Sequence, residues 1–224
     1  MEYSKKKVNN QYPIFIICRD RYSCTIDLIN WLEKTGQENI YLIDNDSKYE
    51  PLLEYYEKSP HTVIKTGFNF GHHVPWTFQS IEKDASNQFF IVTDPDILPV
   101  EECPLDAIDR FKYLLDKYPD RTKAGFGLKL DDIPDHYSNK LSVIEHESQF
   151  WTGYNPEPDV IYANIDTTFA MYRPGASVDI YASMRTYGKY VARHMPWYVD
   201  SSNLSPEEVF YRSRLSPSIN NWNK

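Results

Sequence analysis

The chain has 224 residues and a mass of 26.4 kDa, enough for one substantial α/β core and short for two. Its formal net charge of −8 excludes the basic stripe that a nucleic-acid surface requires, so no nucleic-acid partner is expected. No apolar run approaches the roughly 20 residues of a membrane-spanning helix, so no transmembrane segment is expected either.

Met1–Gln11 is polar, carries lysines and lacks the apolar stretch of a secretory signal. Cytoplasmic residence is therefore the expectation, although a module cut from a longer chain would read the same way. Both this segment and the Ser/Asn-rich Ser216–Lys224 read as disordered ends. Ile14–Cys18 is a short apolar run of β type, and Ile26–Lys34 follows with helical spacing that stops near Gly36. Ile40–Ile43 is a second buried strand, ending in the polar cluster Asp44–Ser47. Tyr49–Lys58 reads as a helix, Thr62–Lys65 as a third strand, and Trp76–Asp84 as a helix. Phe89–Thr93 is a fourth strand that runs directly into Asp94, Pro95 and Asp96. Leu105–Lys117 is an amphipathic helix and Ala124–Leu130 a strand; Ala163–Arg173 reads as a late strand with a polar start. Ser205 and Pro206 open a helix with Glu207 and Glu208 in its first turn. Cys18, Cys24 and Cys103 show no metal-type spacing and read as buried thiols.

Alternating apolar strands and helices predict an α/β fold, a mostly parallel, doubly wound sheet with helices on both faces. Ligands on such sheets bind at the carboxyl ends of the strands. The polar clusters fall there: Arg19–Arg21, Asp44–Ser47, Asn69–His73 and Asp94–Asp96. Acids at two strand ends facing one crevice repel each other unless a cation or donor groups compensate. Asp94 and Asp96 together suit a hard divalent ion, which would neutralise the phosphates of a nucleoside diphosphate. The glycines of Gly67–His73 permit close backbone approach to a ligand.

Ile43–Ser47 followed by Val92–Asp96 resembles the nucleotide-binding half of GT-A glycosyltransferases, above all the family-2-like enzymes. The likeness covers about residues 13 to 100 and is loose beyond; it departs from the family after the first strand, where Cys18–Arg21 replaces the usual opening. It implies the GT-A (nucleotide-diphospho-sugar transferase) fold and one domain over 1–224. Residues 12–100 would form the nucleotide half, 101–215 the acceptor and sugar half, and 216–224 a tail. It further implies a nucleotide-sugar donor, UDP-linked, a glycan acceptor, and Mn²⁺ or Mg²⁺ as cofactor. Carried over, Asp44 (with Asp46 beside it) would read the base, Asp94 would meet ribose or sugar, and Asp96 would meet the metal. Asn69 and Gly71 would pack beside the nucleotide, and Arg19 or Arg21 would serve a phosphate. Asp166 would lie near the anomeric carbon, His194 would be a third metal ligand, and Asp132 a second candidate for the base. Glu208, at a helix start, rivals Asp166. The stretch Glu145–Trp151 offers rings for an acceptor groove.

Two other readings compete. A haloacid-dehalogenase-like phosphatase also ends a strand in Asp-x-Asp, but needs that motif on its first strand. A GT-A module that binds nucleotide-sugar or glycan without turnover would keep the same acids.

Overall fold

The computed structural model describes residues 12–77, 85–178 and 180–215. The expected disordered ends and most of the helix expected over Trp76–Asp84 lie outside these residues.

Nine strands form one sheet among the described residues: β1 (Ile14–Cys18), β2 (Ile40–Asp44), β3 (Thr62–Lys65), β4 (Phe90–Thr93), β5 (Ile97–Pro99), β6 (Lys123–Leu128), β7 (Val160–Tyr162), β8 (Ala170–Tyr172) and β9 (Ser183–His194). The helices are α1 (Tyr22–Lys34), α2 (Glu50–Lys58), the single turn α3 (Val74–Thr77), α4 (Ala107–Lys117), α5 (Lys140–Ser148) and α6 (Pro206–Ser213). The strand order is β3-β2-β1-β4-β8-β6-β9-β5, with β7 pairing β9 separately. β3, β2, β1 and β4 pair in parallel. β8 then enters antiparallel between β4 and β6, which restores β6 to the common direction, and β9 pairs parallel to β6. β5 and β7 run against β9. The sheet is thus mixed but mostly parallel, an α/β arrangement with helices packed against it.

β1 shows why the sheet is buried on both sides. Its five residues are all buried, and side chains alternate across a strand. Ile14, Ile16 and Cys18 enter one apolar cluster, with Leu28 and Leu32 of α1 and Phe111 of α4. Phe15 and Ile17 enter the other, with Val74, Phe90 and Tyr172. Ala107, Ile108, Phe111, Leu114 and Leu115 recur at helical spacing and give α4 its one buried face. At Gly125 of β6 the chains touch so closely that a Cβ would meet the Phe169 carbonyl and come within 2.8 Å of Ala170 Cα.

Two departures from the sequence-based expectation matter for the site. The strand expected over 163–173 is confined to Ala170–Tyr172, and its polar start is an irregular loop. β9 has twelve residues and no counterpart in the sequence reading. Its pairing with β6 shifts register between Phe126 and Gly127, and charged Arg185, Lys189 and Arg193 break its apolar alternation.

Candidate functional site

The strand order reverses at β1, which has β2 on one side and β4 on the other, so a crevice opens where their carboxyl ends diverge. β8 runs the opposite way, so the loop leading into it arrives at this same edge. A cleft of about 550 Å³ lies there. Arg19, Arg21, Asn45, Asn69, Gly71 and Asp94 line it from the β1–β4 side; Glu147, Phe150, Asp166, Arg185 and His194 line it from the β6–β9 side.

The acids sit at its centre. Burial, then the neighbouring charges of Asp96 and Asp166, push the Asp94 carboxyl well above the usual range, against the Thr167 hydroxyl that donates to Asp94 Oδ2 at 3.0 Å. Asp96 is only 7% exposed; its Oδ2 lies 3.2 Å from Arg21 Nε and its Oδ1 3.6 Å from His194 Nε2. Burial lowers the His194 pKa against the pull of Asp96, so the imidazole is neutral at pH 7. His194 Nδ1 is buried with no partner among the described residues.

The loop carrying Asp166 is fixed by buried side chains. Ser183 Oγ accepts from Ile165 N at 3.0 Å and donates to the Ala163 carbonyl at 2.9 Å. Arg185 Nε donates to the Asn164 carbonyl at 2.8 Å. Lys123 Nζ and the Tyr172 hydroxyl both donate to the Asp166 carbonyl, at 3.1 and 3.2 Å. A lysine with no exposed surface is costly, and here it supports the backbone of an acid that faces the cleft.

The loop after β1 is fixed in the same manner. Asp20 takes a left-handed φ of +54°, and its Oδ1 accepts from the backbone N–H of Lys48 and Tyr49. Asp20 Oδ2 accepts from Arg214 Nε at 2.7 Å. Arg19 Nη2 donates to the Arg214 carbonyl at 3.0 Å, leaving Arg19 Nε buried without a partner among the described residues. Arg21 is clamped between Asp96 and Glu208, 2.7 Å from Glu208 Oε2, with its guanidinium carbon 3.8 Å from the centre of the Tyr211 ring. The α6 helix therefore ties the end of the chain to the first loop. Its Ser205 cap accepts from Glu208 N, as the sequence led one to expect of a Ser-Pro helix start.

Of the residues singled out from sequence, Arg19, Asn69, Gly71, Asp94, Asp96, Asp166 and His194 share the cleft. Four lie apart from its lining, Glu208 among them with its carboxylate held by Arg21 and Arg212. Asp44 Oδ1 accepts from Ser47 N at 3.0 Å and so closes the turn after β2. Asp46, at φ +67°, pairs with Lys48 at 2.7 Å. Asp132 pairs with Arg193 and accepts from the Tyr198 hydroxyl, both at 2.5 Å. Residues that the sequence reading did not single out are Lys123, Thr167, Arg185 and Tyr211. A lysine opening the apolar run of β6 was the one visible signal among them. Burial pushes the thiols of Cys18, Cys24 and Cys103 up to about 12, which leaves none of them a thiolate nucleophile at neutral pH.

Among the described residues no three His, Cys, Asp or Glu side chains are gathered into a ready-made ion site. Hard ions such as Mg²⁺ are commonly held by one or two carboxylates with substrate phosphates completing the shell, and Asp94 with Asp96 meets that description. Burial raises Asp94 most, and a cation would relieve the repulsion that Asp96 and Asp166 add to it; a neutral imidazole beside Asp96 suits Mn²⁺.

The chain matches no known family model and no curated protein sequence. Among solved structures it overlaps with one titled as a mycobacterial protein, at 10% identity and a TM-score of 0.49, over 82% of this chain and 67% of that one. Another is apo UDP-glucose pyrophosphorylase, at 13% identity and a TM-score of 0.40, over 88% of this chain and 82% of that one. Both overlaps are loose, and neither bears on the activity of this chain. No helix among the described residues is long and apolar enough to cross a membrane.

Proposed function

We propose that this chain is a metal-dependent glycosyltransferase that moves a sugar from a nucleoside-diphosphate donor, a UDP-sugar, to a hydroxyl of a carbohydrate acceptor. One observation carries the reading: Asp94, Asp96 and Asp166 converge with Arg19 and Asn69 on one cleft at the carboxyl edge of the parallel strands.

Arg19 takes a phosphate oxygen with the Nε that no described residue satisfies. Asn69 and the backbone at Gly71, which has φ +71°, pack beside the nucleotide. Asp94 meets the ribose or sugar hydroxyls, and Asp94 and Asp96 would hold Mn²⁺ or Mg²⁺, with His194 beside Asp96 as the further ligand. The ion, when bound, neutralises the diphosphate as it leaves. Asp166 stands on the sugar side on a rigid loop and stabilises positive charge at the anomeric carbon. Asp44, Asp46 and Asp132 shape the loops around the site, since their carboxylates are engaged by Ser47, Lys48, Arg193 and Tyr198.

Incubation of the protein with a panel of UDP-sugars and Mn²⁺, with free UDP measured by chromatography, tests this. Slow UDP release that stops with EDTA and in Asp96→Ala supports the reading. Release equal to buffer alone for every donor, with or without saccharide, contradicts it.

A further inference from the structure

The β6–β9 wall of the cleft carries a group that the donor chemistry leaves unused. Glu147, at the end of α5, is buried, yet it lines the cleft. Its Oε2 accepts from Arg185 Nη1 at 2.9 Å, and its Oε1 takes no hydrogen bond from the described residues. Arg185 is 3% exposed and spends Nε on the Asn164 carbonyl, so Nη2 is likewise uncommitted among those residues. The Arg185 guanidinium lies 4.2 Å from the centre of the Phe150 ring, and the His146 ring stands against that ring at 73°, which holds it in place. A carboxylate oxygen and a guanidinium arm that are fixed by their neighbours, reachable from the cleft and beside an aromatic ring are the convergent polar groups of a ligand site.

We infer that Glu147, Arg185 and Phe150 form the acceptor subsite, which takes an uncharged saccharide. The inference rests on the glycosyltransferase reading for the word acceptor; the saccharide site itself stands on this wall alone. Glu147 Oε1 accepts a hydrogen bond from a sugar hydroxyl, Arg185 Nη2 donates to a neighbouring oxygen, and the Phe150 ring meets the apolar face of the sugar. Charge decides the class of ligand. Arg185 is neutralised by Glu147 and Arg21 by Asp96 and Glu208, and the donor phosphate takes Arg19, so none of these arginines is left over for an anionic acceptor. A site built to bond a hydroxyl rejects the analogue that lacks it, because the buried groups are then left unpaired.

The test is saturation-transfer NMR with a panel of methyl glycosides and disaccharides, on the protein alone and with UDP and Mn²⁺. The proposal expects transfer from at least one saccharide and a loss of five-fold or more in Phe150→Ala and Glu147→Gln. An O-methyl analogue of the contacting hydroxyl should also fail to bind. Thermal melts of the same variants with UDP and Mn²⁺ report folding and the donor half separately. No transfer from any saccharide, or equal transfer in both variants, overturns the subsite. Absence of any UDP effect on the wild-type melt, with saccharide binding intact, counts instead against the donor reading.

Discussion

Replacing Arg21 by glutamine tests how the end of the chain is coupled to the acidic site. The Arg21 side chain is 5% exposed and lies 2.7 Å from Glu208 and 3.2 Å from Asp96, whose side chains are 4% and 10% exposed. Removing one member of a buried ion pair costs about 3–5 kcal/mol, because the abandoned charge stays buried. Glu208 keeps Arg212 at 2.7 Å, which favours the lower end, whereas the lost contact with the Tyr211 ring adds to the cost. For a chain of this length about 3 kcal/mol corresponds to a fall in Tm of roughly 6–12 °C. Thermal and urea melts of Arg21→Gln, Glu208→Gln and the double variant measure the coupling. The pH dependence supplies a second check. Burial alone would raise Glu208, but Arg21 and Arg212 outweigh it and hold its carboxyl below the usual range. A depressed carboxyl contributes stability that is present above the unfolded value of about 4.3 and is lost as pH falls through the folded one. Wild type should therefore lose more stability than Arg21→Gln on acidification below about pH 4. A destabilisation under about 1 kcal/mol, with an unchanged acid limb, would refute the clamp.

Asp94 carries the opposite sign. Its raised carboxyl favours the folded state as pH falls from neutral, so its charge is a destabilising element at pH 7–8 without metal. Asp94→Asn should raise the Tm of the metal-free protein at pH 8 and abolish the gain that Mn²⁺ gives wild type. Asn45 spans the loop after β3, donating to the Gly71 carbonyl at 3.0 Å and accepting from Phe70 N at 2.8 Å. Asn45→Ala should cost about 1–3 kcal/mol and speed amide exchange over residues 68–72, read by mass spectrometry. Gly125→Ala drives a methyl into the backbone of β8; it should destabilise by at least about 1–3 kcal/mol, seen as a lower urea midpoint.

The first half of the fold was legible because it obeys two periods at once. β1 and β3 have the bounds that the sequence suggests, Ile14–Cys18 and Thr62–Lys65, and β2 and β4 differ by one residue at one end. These strands are short apolar runs between turn residues, so local pattern and tertiary burial agree. β9 was illegible because its polar positions are satisfied by partners distant in sequence, such as Glu147 for Arg185 and Asp132 for Arg193. The strand expected from Ala163 failed for a related reason: the backbone of 163–166 bonds to Ser183, Arg185, Lys123 and Tyr172 rather than to a neighbouring strand. Asp94 and Asp96 could be read from sequence because they follow a buried strand directly. Tyr211 could not, since only the folded chain brings α6 to the cleft, and Lys123 showed only as a lysine heading an apolar run.

The central claim is that the acids closing β4 hold a cation that bridges to the phosphates of an activated sugar. A thermal-shift titration of wild type and Asp96→Ala with UDP-sugars, each with Mn²⁺ and with EDTA, tests it most directly. Stabilisation by a bound ligand follows its concentration over its Kd. The account predicts a donor-dependent rise in Tm for wild type that needs Mn²⁺ and disappears in Asp96→Ala. A rise of equal size in the variant, or one indifferent to EDTA, would contradict it.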